Sequence, residues 1–95
     1  MSYRKEFPAF DYTLPTLDGF TDQSWHNDTC PKLVREDGDV TVTVWCDYAD
    51  PDRRENVGLR YAVTVTLPDD NPVEISATDE WESVLAVLRA GCWLD

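Results

Sequence analysis

The chain is 95 residues long and carries nineteen acids, eight bases and one histidine, a formal net charge of −11 at pH 7, with a pI near 4.2. That length suits one domain, and that charge excludes direct binding to nucleic acid or to anionic membranes. Four tryptophans and a hydrophobic fraction of 42% exclude a disordered acidic tail, which would be poor in aromatics.

In chain order, residues 1–30 show no hydrophobic period. Met1 to Glu6 leads into no apolar run of the kind a secretory leader needs. Tyr3, Phe7, Phe10, Tyr12, Leu14, Leu17, Phe20 and Trp25 are scattered between Pro8, Pro15 and Gly19. So apolar a run reads as an irregular arm packed on the rest of the chain, with room for one helical turn. Its expected position is over Trp45 and a threonine-rich sheet face. If that face is left uncovered instead, it becomes a docking surface.

Lys32–Glu36 reads as a short first strand. The Asp37-Gly38 pair after it is a hairpin signal, because glycine accepts a positive φ without steric cost. Two long alternating segments follow. Val40, Val42, Val44, Cys46 and Tyr48 share one face of the first, and Leu59, Tyr61, Val63, Val65 and Leu67 share one face of the second. Their opposite faces carry mostly threonine, with Trp45, Asp47, Arg60 and Ala62. That is the pattern of a half-buried antiparallel pair. A polar loop over 49–58 joins them, and a turn at Pro68–Pro72 leads to a fourth strand, Val73–Ala77.

A helix is predicted over 78–91. Thr78 or Asp79 can cap it, and Asp79 with Glu82 has capping-box spacing. Trp81, Val84, Leu85 and Leu88 form one apolar stripe, and Gly91 is a C-terminal stop. Cys92, Trp93 and Leu94 make a short apolar tail. The expected fold is therefore α+β in one domain. It has an irregular arm (1–30), a four-stranded antiparallel meander (31–77) and one C-terminal helix (78–91) on the valine face.

A meander sorts the acids to two ends. Asp47, Asp50, Asp52, Glu55, Asp79, Glu80 and Glu82 are expected at one rim, diluted by Arg53 and Arg54. Glu36, Asp37, Asp39, Asp69 and Asp70 are expected at the other. A row of closely spaced carboxylates resembles a run of phosphates, so each rim is a candidate for docking on a basic groove. Polar loops and helix starts also favour Asp for local reasons alone.

Other chemistry fits less well. His26 with Cys30 or Cys46 would be a nucleophilic pair, but no orienting motif or oxyanion site accompanies it. The bland reading of His26 is a turn residue beside a buried Trp25. His26, Cys30, Cys46 and Cys92 lack the close Cys spacing of a zinc site. Asp47-x-x-Asp50-x-Asp52 lacks the glycine and terminal glutamate of a calcium loop. No enzyme activity, metal or cofactor is expected. The odd cysteine count, with Cys46 on the expected core face, argues against a disulfide framework, and with no secretory leader or bilayer-spanning segment in view the expected compartment is the cytoplasm of a bacterial host.

In size, pI, α+β layout and clustered Asp and Glu, the chain resembles the small acidic anti-CRISPR proteins that phages and mobile elements encode. The resemblance has no signature motif, so no residue role carries over by position. It implies a monomeric inhibitor that binds a CRISPR-Cas effector, with a type I surveillance complex favoured, and blocks target DNA binding by DNA mimicry. Arg53, Arg54 and Arg60 depart from a purely anionic mimic. The alternative is an immunity protein or antitoxin that neutralises a basic toxin nuclease, which has the same charge logic and a different partner.

Overall fold

A computed structural model of the chain describes residues 3–26, 28, 30–54, 59–68 and 71–91. Its centre is an antiparallel sheet of five strands in the order β1-β2-β3-β4-β5. These are β1 (Thr21–Asp22), β2 (Lys32–Asp37), β3 (Val40–Cys46), β4 (Tyr61–Thr66) and β5 (Val73–Thr78). Two helices, α1 (Tyr3–Glu6) and α2 (Trp81–Ala90), and a 3-10 turn at Pro51–Arg53 complete the described elements. The expected α+β meander is present, with one strand more than the sequence pattern shows. β1 is two residues long, too short for an alternation to register, and it pairs Thr21 with Val34 and Asp22 with Leu33.

The alternating segments pair face to face. Leu33 lies opposite Val44 and Val44 opposite Val63, so apolar side chains line up across three strands on one face. On the other face Val34, Thr43, Thr64 and Glu74 form a row, as do Lys32, Trp45, Ala62 and Ala77. A bulge between Val63 and Thr64 shifts the β4–β5 register and leaves Ile75 facing the core cluster. The β2–β3 hairpin closes at Asp37–Val40, with Gly38 at φ 62° supplying the left-handed turn.

The valine face is covered by two elements. Helix α2 packs on β4 and β5, burying Val84 completely and setting Trp81 against Tyr61 at 5.2 Å between ring centroids. A helix of ten residues is about 15 Å long, too short to roof the β2–β3 side as well. The arm does that: Phe7, Phe10 and Leu14 join Leu33, Val42, Val44 and Cys46 in one buried cluster. Thus the arm lies on the valine face beside α2, and the expectation that it covers Trp45 and the threonines is corrected. The carboxylate of Asp22 pins the arm by accepting from the backbone N–H groups of Tyr3 (2.7 Å) and Ser24 (3.1 Å).

The helix start is also corrected. Glu80, with extended backbone and no side-chain cap, precedes the first helical residue Trp81, so the Asp79–Glu82 capping box does not form. The Thr78 hydroxyl accepts from the Glu80 N–H instead, at 3.0 Å, and the Asp79 carboxylate is turned toward two arginines. At the other end Gly91 stops the helix in the left-handed conformation, its N–H bonded to the Val87 carbonyl at 3.2 Å. Of the expected stripe, Val84 is core, while Leu85 is half-buried beside a groove that it lines with Leu17, Phe20 and Leu88. Cys92, Trp93 and Leu94 lie outside the described residues.

Candidate partner-binding surface

The first rim forms where β3, β4 and β5 end together, since Cys46 pairs with Tyr61 and Tyr61 with Thr78. Asp47, Asp79 and the start of α2 follow directly. Several of its carboxylates have internal work. Asp47 is buried, and its Oδ1 accepts from the Tyr48 N–H at 2.8 Å. Asp50 accepts from the Asp52 N–H at 3.0 Å, capping the 3-10 turn. Asp79 Oδ1 accepts from the Arg60 N–H at 2.9 Å and from Arg54 Nη1 at 3.3 Å. Glu55 lies outside the described residues.

Asp11 belongs to this rim and was not visible as such in the sequence. Its two carboxylate oxygens accept from the Ala49 and Asp50 N–H groups, each at 2.8 Å. Burial acts to raise its pKa, but those amides and nearby Arg53 outweigh it and hold the carboxyl below its ordinary value. No local spacing could announce a contact between an arm residue and a loop thirty-eight positions away.

The arginines at this rim are tied down. Arg53 Nη1 donates to the Ala9 carbonyl at 2.8 Å. Arg54 donates to the carbonyls of Tyr48 (2.8 Å) and Ala49 (3.1 Å). The Arg60 guanidinium lies 4.0 Å from the centroid of the Tyr12 ring and 5.1 Å from that of Tyr61; its Nε and Nη2 are buried without a hydrogen-bond acceptor. Elsewhere Arg35 pairs with Asp37 at 2.7 Å, Arg4 sits 5.0 Å from the Tyr3 ring and Arg89 bonds the Leu85 carbonyl at 3.4 Å. Lys32 pairs with Asp28 at 2.9 Å.

The second rim carries the turn Glu36–Asp39. Asp37 is taken by Arg35; Glu36 and Asp39 are exposed. Asp69 and Asp70 lie outside the described residues. In all, Asp18, Glu36, Asp39, Asp52, Glu74, Glu80 and Glu82 are exposed and have no side-chain bond or ion pair among the described residues. The first rim thus holds Asp11, Asp47, Asp50 and Asp79 in internal bonds and leaves Asp52, Glu80 and Glu82 free, and the second leaves Glu36 and Asp39 free.

His26 is exposed, stacked 4.2 Å from Trp25, and its Nδ1 lies 2.9 Å from Glu6 Oε1. That hydrogen bond is the main cause of a lowered Glu6 pKa. Trp25 is itself exposed and lies outside the core cluster, which corrects its expected burial. Cys30 and Cys46 are buried and in no disulfide among the described residues, and burial pushes Cys46 up to about 12, so it is a packing residue with no thiolate at neutral pH. Among the described residues no three His, Cys, Asp or Glu side chains converge to hold a metal ion, and no helix is long and apolar enough to cross a membrane. Comparison with known proteins returned no matching family model, and no curated protein or solved structure that matches significantly.

Proposed function

We propose that this protein is an acidic inhibitor that docks on the nucleic-acid-binding surface of a basic protein and excludes the polynucleotide from it. The observation that carries this reading is an asymmetry in how the charges are used. All six arginines are bound to a ring, a carbonyl or a carboxylate of the same chain. Seven described carboxylates are left exposed without a partner. The arginines keep their charge, but the charged groups left free to meet a partner are mostly carboxylates, in the net negative field of a chain at −11. Such a field steers cationic surfaces inward and raises their association rate.

The resemblance in size and charge to anti-CRISPR proteins favours a CRISPR-Cas effector as the partner, with a type I surveillance complex first, inhibited by DNA mimicry. An immunity protein or antitoxin facing a basic toxin nuclease is the second reading, favoured by the same free carboxylates. The test is a gel-shift titration of target DNA with a purified surveillance complex. Stoichiometric loss of DNA binding, relieved as salt rises, is the expected result. Undiminished DNA binding at excess protein removes the first target, and protection of DNA from a basic nuclease would then select the second.

A further inference from the structure

We infer that residues 3–14 form an acid-released strap. Protonating the carboxylates that tie them to the sheet frees this segment as a unit and uncovers the β2–β3 half of the valine face, while the sheet and α2 stay folded.

The bonds that hold the strap are of one chemical kind. Asp22 of β1 accepts from the Tyr3 N–H at 2.7 Å. Glu6 Oε1 accepts from the His26 N–H at 3.2 Å and lies 2.9 Å from the ring Nδ1. Asp11 accepts from the Ala49 and Asp50 N–H groups, each at 2.8 Å. The one other crossing bond among the described residues runs from Arg53 Nη1 to the Ala9 carbonyl. No backbone–backbone bond joins residues 3–14 to the sheet among the described residues. Strands β2 to β5, by contrast, are held by backbone ladders, whose N–H and C=O groups do not titrate. The body's own carboxylate bonds at Asp47 and Asp79 lie at a strand end and only add to those ladders.

Burial separates the strap from the body in the same way. Phe7, Phe10 and Leu14 keep 8%, 5% and 7% of their exposure, whereas Val42, Val44, Val63 and Val84 keep none. The innermost packing therefore belongs to β3, β4 and α2, and the strap is the outer layer over it. The charges around the ties set the direction of the pH effect. His26 and Lys5 face Glu6, and the His26 hydrogen bond holds that carboxyl below its ordinary 4.5. Arg53 and Tyr48 face Asp11, and Arg4 lines a cavity with it. Burial acts to raise Asp11, but its two amides and Arg53 outweigh that and hold it below 3.8. Tyr3 is the titratable group that shares a cavity with Asp22. Lowered folded values mean that these ties hold in full above the ordinary carboxyl range and are lost as pH falls through the folded values. A protonated carboxyl no longer makes the charge-assisted bond, and a segment held by little else opens before the sheet.

The test is a pH titration of the full chain from neutrality to well below those values, read by amide hydrogen exchange in NMR and by the fluorescence of an apolar dye. The expected result is that Phe7, Phe10, Ala49 and Asp50 lose protection together while Val63 and Val84 keep theirs, and that the dye binds in the same window. E6Q with D11N and D22N imitates the protonated ties. It should lower strap protection at neutral pH by about tenfold or more, lower that of Val63 by less than about twofold, and flatten the pH dependence. D11N alone, a milder change, should lower protection of Ala49 and Asp50 by about threefold. Loss of strap and sheet protection in one step, in acid or in the triple variant, overturns the proposal, because strap and sheet are then one cooperative unit. A strap that stays protected below those pH values, or protection unmoved in the variants, overturns it by showing that apolar contacts hold the segment unaided. Strap release without dye binding overturns the uncovered face.

Discussion

Arg54 and Asp79 meet at 3.3 Å across the end of the sheet, and the arginine in that pair is only 9% exposed while the aspartate is 55% exposed. The guanidinium is the structural member. It bonds the carbonyls of Tyr48 and Ala49, fixing the loop after β3, and reaches Asp79 with what remains. Arg54→Ala should cost about 2–3 kcal/mol, since it leaves two carbonyls without their donor. Arg54→Lys should recover less than half of that, because an ammonium cannot reproduce the fork. Asp79→Ala should cost less than either, being well solvated. Urea unfolding curves of the three variants check the order.

In the core, the position of α2 makes Val84 and not Leu85 the sensitive residue. Val84 is fully buried against the sheet, whereas Leu85 lines an open groove. Val84→Ala should cost about 2 kcal/mol, and Leu85→Ala about 1 kcal/mol despite removing more atoms. Thermal melts of the pair decide it, and a larger loss from Leu85→Ala would mean that α2 is rotated from the position described.

Asp11 gives the acid limb of stability a specific origin. Its folded pKa is held below the ordinary value of 3.8, so its contribution is present above that value and is lost as pH falls through the lower folded value. Asp11→Asn should destabilise by roughly 1 kcal/mol near neutrality, a charged hydrogen bond discounted for exposure. The gap between variant and wild type should close as pH falls through that lowered folded value. Denaturant titrations at several pH values measure that gap.

The β2–β3 turn provides a test of backbone strain alone. Gly38 sits at φ +62° with nothing within 4 Å of where a Cβ would be placed, so added bulk meets no neighbour. Gly38→Ala should cost about 1 kcal/mol from the left-handed conformation. Gly38→Asn should cost less, since Asn visits that region more readily. Unfolding curves that rank Asn below Ala would contradict the turn geometry.

How much of this could be read from residues alone depends on the range of the interaction. The alternation Val40–Cys46 and Tyr61–Thr66, the Asp37-Gly38 turn and the Gly91 stop are local signals, and the structure carries each of them. The side of the sheet on which Phe7, Phe10 and Leu14 settle is not local: it follows from α2 being too short to roof both halves of the valine face. The fate of the acids is likewise tertiary. Asp79 has the spacing of a cap, yet it loses that role to Arg60 and Arg54 once β4 and β5 bring them together. Asp11 joins the rim only because the arm folds back over the loop after β3. Sorting acids by strand end located the rims, but deciding which carboxylates stay free required the partners of every arginine.

The most direct measurement is capture of host proteins on immobilised protein at low salt, followed by elution with duplex DNA. The account predicts that the retained partner is a nucleic-acid-binding protein, that added DNA displaces it in proportion to its own affinity for that DNA, and that rising salt releases it. A specifically captured partner that stays bound through excess DNA and high salt would contradict the claim that this surface takes the place of a polynucleotide.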